Sequence, residues 1–339
     1  MKSIYLTKNG KANEAFEIRE SPMPEPKENE VRIKVEVFGL NFADVMARRG
    51  IYQDCPPLPC VLGYEVVGRI DVIGSKVKTL KQGDRVAAFT HFGGYSEYVV
   101  IDESGATIIP EDMPATFAAS LITQYCTAYF ACMKATTVFE GENVLVHAAA
   151  GGLGTAFVQL LTLRKAVIFG TCSSDEKVSY LKSIGVHHPI NYKTADYRSE
   201  IKKILGNKRI DVIFDSLGGK YIRDGVKLLG PCGRIICLGG SELLSTSNPV
   251  IRIGKMLQFG FYHPGLLMMA SKAIIGVNML KVAENKPEVL FTIMNELLAL
   301  QKKGLIRPRA GKEYPVARLA EAHAALENRS TMGKVVIRW

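Results

Sequence analysis

The chain has 339 residues, 47 % of them hydrophobic and 22 % charged, a balance that supports packed cores and excludes a disordered chain. Its formal net charge of +10 suits anionic partners. The basic residues are scattered, though, with no run of five or six and no interleaved aromatics, so nucleic acid is not expected as a partner.

The length suits two domains. Met1-Lys2-Ser3-Ile4-Tyr5-Leu6 reads as a short strand and lacks the apolar run and cleavage site of a signal peptide. Residues 31–37, Val-Arg-Ile-Lys-Val-Glu-Val, alternate apolar and charged side chains, as a half-buried strand does. Residues 66–70 and 98–101 are further strand candidates, separated by turn-forming glycines and prolines. This β-rich part is expected to form a partly open barrel or sandwich.

After Pro114 short apolar strands at 143–147, 166–171, 210–215 and 233–238 alternate with helical segments. That alternation predicts βαβ units and a parallel sheet covered on both faces. Helices are expected around 287–303 and 317–328, and a final strand at 334–337. The N- and C-terminal parts are therefore expected to form one domain, 1–122 with 265–339, around an inserted domain at 123–264. The apolar stretch 259–280 is interrupted by His263, Pro264 and Lys272, so no transmembrane segment is expected. Seven cysteines form no disulfide framework and read as free, mostly buried thiols, Cys55 and Cys60 among them in a structural role. A cytoplasmic location is expected.

The most specific local signal is Ala148-Ala149-Ala150-Gly151-Gly152-Leu153-Gly154, between a strand and a helix. Glycines there let the backbone turn tightly and approach a pyrophosphate, whose charge is met by amides at the helix N-terminus. The pattern is that of a doubly wound Rossmann domain, with Ala148 where many such loops have their first glycine. The second strand ends Gly170-Thr171-Cys172-Ser173-Ser174, without the acid that accepts the ribose hydroxyls of NAD. Ser173, Lys177 and Tyr192 suit a 2′-phosphate instead, so NADPH is the expected cofactor. Asp175 and Glu176 are read as first-turn acids that complement the helix dipole.

Several ordered motifs then share one pattern: Gly39-Leu40-Asn41-Phe42-Ala43-Asp44, Arg49-Gly50-Ile51-Tyr52, Gly63-Tyr64-Glu65-Val66-Val67-Gly68, Gly83-Asp84-Arg85-Val86, Gly94-Tyr95-Ser96-Glu97-Tyr98, Thr127-Ala128-Tyr129, the glycine loop and Asp215-Ser216-Leu217-Gly218-Gly219. Over essentially its whole length the chain resembles the zinc-free quinone oxidoreductases of the medium-chain dehydrogenase/reductase superfamily. Leu58-Pro59 and residues 171–192 are similar to its vesicle amine transport protein-like branch.

The resemblance implies an α/β architecture, a Rossmann domain plus a β-rich GroES-like domain, with the active site in the cleft and a homodimer built through the Rossmann sheet edges. It also implies cofactor contacts at Asn41, Thr127, Gly151, Gly152, Leu153, Gly154, Ser173, Lys177, Tyr192, Gly239, Phe261 and Lys334. Zinc-dependent relatives take a catalytic Cys at the position of Leu40 or Asn41 and a His where Tyr64 stands, and their structural zinc needs four cysteines between roughly residues 90 and 115. This chain has none of these, so no metal is expected. His187-His188 is adjacent rather than spaced as ligands on one face.

Without a Lewis acid the fitting acceptors are quinones and α,β-unsaturated carbonyls, whose reduction places charge on a delocalised oxygen. Tyr52 and Asn41 are the candidate catalytic hydrogen-bond donors. Tyr52 has the alternative of packing its ring under a loop, and Asn41 that of a purely structural turn. Asp44 is expected to brace the local helix. A second reading is an NADPH-binding protein with little turnover that acts through a membrane or protein partner, with Gly265-Leu266-Leu267-Met268-Met269 in the contact. Such a Met- and Leu-rich stretch otherwise reads as core or dimer contact.

Overall fold

The computed structural model describes residues 1–246 and 248–339. The chain divides into two compact units, Met1–Cys126 with Met279–Trp339, and Thr127–Asn278.

In the first unit, β1 (Lys2–Leu6) lies between β2 (Phe16–Glu20) and β4 (Cys60–Val61) in an antiparallel three-stranded sheet. The larger sheet has seven strands. Its path runs β15 (Ala310–Pro315), β16 (Lys334–Arg338), β3 (Glu30–Leu40), β5 (Glu65–Ile73), β6 (Arg85–Phe89) and β8 (Ala106–Ile108), and β7 (Tyr98–Asp102) also pairs with β3. The period-2 pattern decides which face of β3 is covered: Val31, Ile33, Val35 and Val37 are buried, while Lys34 between them is exposed. Gly68 is needed where β5 crosses β3, because a Cβ there would lie 2.1 Å from the Lys34 carbonyl oxygen.

The second unit is a six-stranded parallel sheet in the order β11 (His188–Asn191), β10 (Val167–Cys172), β9 (Asn143–Val146), β12 (Ile210–Asp215), β13 (Leu229–Cys237), β14 (Ala273–Gly276). Strand order reverses between β9 and β12, the place where doubly wound sheets bind their ligands beyond the strand ends. Each strand is short and apolar because helices Gly152–Leu163, Asp175–Ser183, Tyr197–Leu205 and Lys220–Leu228 connect the strands and can cover both faces.

One expectation needs correction. The second boundary, placed between 264 and 265, lies further along the chain, because β14 pairs with β13 and so belongs to the parallel sheet. Of the two readings of the Met- and Leu-rich stretch, core or contact, its exposure leaves contact. The stretch forms helix Pro264–Ala270 with Leu266, Met268 and Met269 at 66 %, 78 % and 81 % exposure. Among the described residues no helix is long and apolar enough to cross a membrane.

Candidate functional site

In the parallel unit the chain leaves β9 and turns through Ala148, whose φ of 51° is left-handed. For a residue with a side chain that backbone costs about 1–2 kcal/mol, which is why glycine is common at this position. Helix Gly152–Leu163 then starts at Gly151, which supplies no side-chain cap. Its first amides are thus not taken up by a capping side chain, in the manner of an anion site at a helix N-terminus. Gly154 lets the helix sit against the turn. A Cβ there would lie 2.5 Å from both the Ala148 carbonyl oxygen and Ala149 Cα.

At the tip of β10, Ser174 caps helix Asp175–Ser183 by accepting from the Lys177 amide at 3.3 Å. That cap turns Lys177 back along the strand end, where its ammonium lies 3.5 Å from Ser173 Oγ. Tyr192 follows β11, with its amide donating to the Cys172 carbonyl at 3.0 Å, so it stands beside the same strand tip. Ser173, Lys177 and Tyr192 are thus gathered at one end of the sheet. Asp175 is tied to Asn191, which donates to its Oδ1 at 2.9 Å, and Glu176 is an exposed first-turn acid.

Sequence reasoning assigned no role to Asp215, His147 or Thr171. The Asp215 carboxylate accepts from the amides of Leu217 and Gly218 at 3.0 and 2.8 Å. This folds the Asp-Ser-Leu-Gly-Gly turn against Gly239, where a Cβ would lie 3.0 Å from the Ser216 carbonyl oxygen. Burial pushes the Asp215 carboxyl up to about 6, against the lowering effect of those two amides. His147 is buried with its Nδ1 3.2 Å from Thr171 Oγ1, and burial lowers it to about 3, so it stays neutral. Thr171 Oγ1 also accepts from the Ala148 amide at 3.2 Å and so braces the turn. Thr127 is half-buried on the helical turn Cys126–Tyr129, between π-helical stretches Leu121–Tyr125 and Phe130–Lys134. Phe261 is 90 % exposed, between helices Pro249–Leu257 and Pro264–Ala270.

The open helix N-terminus, the close approach at Gly154 and the Ser173–Lys177 pair fit a phosphorylated dinucleotide.

In the other unit, β3 delivers Asn41 to the start of helix Phe42–Arg48, where its amide donates to Asp44 Oδ2 at 2.7 Å. Asp44 is therefore the helix brace its spacing suggested. The Asn41 side chain lies between two charges that the sequence did not connect. Its Oδ1 accepts from Lys334 Nζ at 2.9 Å, its Nδ2 donates to Glu65 Oε1 at 3.0 Å, and Lys334 also pairs with Glu65. Lys334 and Glu65 are both fully buried. Asn41 keeps one amide hydrogen beyond these bonds.

Tyr52 is partly buried, with its ring edge-on to Tyr64 at 6.3 Å, and Tyr64 stacks obliquely on Phe92 at 5.1 Å. Burial, together with nearby Asp54 and Asp44, raises the Tyr52 phenol, so it remains a proton-bearing donor at neutral pH. Among the described residues no group of three or more His, Cys, Asp or Glu side chains is arranged to hold a metal ion.

Burial raises the Asp44 carboxyl to about 7, despite the Asn41 amide and the Lys334 charge. A carboxyl raised by folding stabilises fully below its unfolded pKa near 4, and that stability is lost as pH rises to about 7. Thermal melts should therefore show Tm falling across pH 4 to 7. Asp44→Asn, which keeps an acceptor for Asn41, should flatten that slope; an unchanged slope would show that folding does not raise the Asp44 carboxyl.

Residues 27–111 match the alcohol dehydrogenase GroES-like domain family, and residues 184–337 match the zinc-binding dehydrogenase family. The chain is 35 % identical to the synaptic vesicle membrane protein VAT-1 homolog of Rattus norvegicus over 317 residues, covering 93 % of this chain and 78 % of that protein. It is 31 % identical to the quinone oxidoreductase of the same species over 320 residues, covering 93 % of this chain and 91 % of that one. The crystal structure of Escherichia coli quinone oxidoreductase complexed with NADPH superposes with a TM-score of 0.88 at 28 % identity, covering both chains completely. With the parallel and GroES-like units both in place, the chain belongs to the medium-chain dehydrogenase/reductase superfamily, in the quinone oxidoreductase-like branch that contains the VAT-1 homologs.

Proposed function

We propose that this protein is a zinc-independent, NADPH-dependent reductase of quinones or α,β-unsaturated carbonyls. The observation that carries the reading is the Ser173–Lys177 pair at the tip of β10, with the neighbouring Asp175 carboxylate engaged by Asn191. That pair favours a 2′-phosphate over a bare ribose. The NADPH found in the similar E. coli quinone oxidoreductase supports the same cofactor.

In this reading Gly151, Gly152, Leu153 and Gly154 face the pyrophosphate, with Thr127, Gly239 and Phe261 along the rest of the cofactor. Ser173, Lys177 and Tyr192 hold the 2′-phosphate, and Asn41 and Lys334 are the further cofactor contacts that the family resemblance implies. Bound NADPH supplies a hydride equivalent. The protein's part is to bind and orient the acceptor and to meet the charge that develops on its oxygen. Asn41 has one amide hydrogen to offer, held in direction by Lys334 and Glu65. Tyr52 offers a phenolic hydrogen that stays in place at neutral pH. Two neutral donors suffice for an oxygen whose charge is spread over a conjugated system, whereas a simple ketone needs stronger stabilisation.

Tyr52→Phe should lower kcat with a quinone or enone about 100-fold or more while leaving the NADPH Kd unchanged. A kcat equal to wild type would reduce Tyr52 to packing.

The protein is further proposed to act as a homodimer. Among the described residues β14 pairs only with β13, so its other edge is open. The adjoining helix exposes Leu266, Met268 and Met269. An open edge beside an apolar patch is a self-pairing surface. Sedimentation should give a dimer, and Met268→Glu with Met269→Glu should shift it to monomer; a wild-type monomer would leave the patch to another partner. The same patch favours the second reading, a membrane- or partner-associated NADPH-binding protein with little turnover, if no acceptor is reduced.

A further inference from the structure

We propose that Cys55 and Cys60 are a redox modification site, a dithiol that peroxide closes to a reversible intramolecular disulfide next to the loop carrying Tyr52. The two sulfurs lie 4.0 Å apart, in contact but not bonded. A disulfide needs about 2.05 Å, so side-chain rotation with a small shift of the loop closes the gap. The intervening residues, Pro56-Pro57-Leu58-Pro59, hold three prolines. Their fixed φ angles leave the loop little freedom, so the sulfurs stay opposed rather than meeting by chance.

The ends of this loop are anchored to different parts of the candidate site. Cys55 donates its amide to the Tyr52 carbonyl at 3.2 Å, closing the turn that bears Tyr52. Cys60 opens β4, pairs with Leu6, and leads through Leu62 and Gly63 to Tyr64. A Cys55–Cys60 bond therefore ties the Tyr52 turn to the strand leading to Tyr64, whose ring Tyr52 already meets edge-on. Cys55 is the more accessible of the two, while Cys60 is 8 % exposed.

The chemistry balances with hydrogen peroxide as oxidant. The Cys55 thiolate attacks one peroxide oxygen, the O–O bond breaks, and hydroxide leaves to be protonated to water. The resulting sulfenic acid is attacked by the Cys60 sulfur: the S–S bond forms, the S–O bond breaks, and a second water departs with the remaining thiol proton. Two thiols lose two electrons and one peroxide becomes two waters. Burial raises the Cys55 thiol and carries Cys60 up to about 12. The thiolate is scarce at neutral pH, so bridge formation is slow there and speeds up as pH rises.

The test is hydrogen peroxide treatment of the full-length protein at pH 7 and pH 9, then alkylation of free thiols and peptide mass mapping. Exposed Cys232 serves as the control for unselective oxidation. The expected product is an unalkylated 55–60 peptide lighter by two hydrogens, formed several-fold faster at pH 9 and reversed by dithiothreitol. Cys55→Ser should leave Cys60 as an alkylatable thiol after denaturation, and Cys60→Ser should arrest Cys55 at the sulfenic or sulfinic stage. The bridged protein should also show an acceptor KM changed several-fold that Cys60→Ser does not show. The proposal is overturned if both cysteines remain alkylatable while Cys232 is oxidised, or if Cys55 over-oxidises in the wild type without bridging. The mass readout is independent of catalysis, so it holds whether or not any acceptor is reduced.

Discussion

Lys334→Ala should destabilise the protein by about 3–5 kcal/mol, the usual cost of removing one partner of a buried ion pair. Lys334 and Glu65 are both fully buried, and Lys334 is joined to Glu65 and to Asn41. Without the ammonium, the Glu65 carboxylate would keep one donor, Asn41 Nδ2, while its Oε2 is already buried without a hydrogen-bond partner. Urea unfolding measures the loss. Adding Glu65→Gln should recover much of it, because the residual penalty is an unpaired buried charge rather than a missing contact. A single variant as stable as wild type would mean that the pair is solvated in solution. The Asn41 amide also loses its anchor, so acceptor turnover should fall even at temperatures where the variant is folded.

The second large effect concerns cofactor choice. Lys177→Ala should raise the NADPH Kd about 10- to 100-fold and leave the NADH Kd nearly unchanged, since a hydrogen bond to a charged group contributes about 1.5–3 kcal/mol. The selectivity follows from position. Lys177 is turned to the end of β10 by the Ser174 cap and meets Ser173 Oγ at 3.5 Å. Titration of both nucleotides by quenching of protein fluorescence decides it. Equal weakening of both cofactors would place Lys177 away from the 2′-phosphate and leave the preference unexplained.

Much of this architecture was legible in the residues because it depends on local periodicity. The alternation in β3 and the strand–helix series after Pro114 follow from which faces are covered, and the helix after the glycine loop follows from steric need at Gly154. The pair of Ser173 and Lys177 could also be read, since one helical turn separates them. The Glu65–Lys334–Asn41 group could not. Its members come from β5, β16 and the end of β3, and only the antiparallel pairing of β16 and β5 with β3 brings them together. The exposure of Met268 and Met269 is not legible either, because composition does not say which side of a helix is covered. The domain boundary is hard to read because β14 is only four residues long and follows a helix of similar apolar character.

The most direct test of the central claim is steady-state oxidation of NADPH and NADH with a panel of quinones and enones, in the presence of a zinc chelator. The expected result is chelator-resistant turnover that prefers NADPH by tenfold or more and reaches quinones or enones but not simple ketones. Tight NADPH binding with no acceptor reduced, or turnover abolished by the chelator, would contradict it.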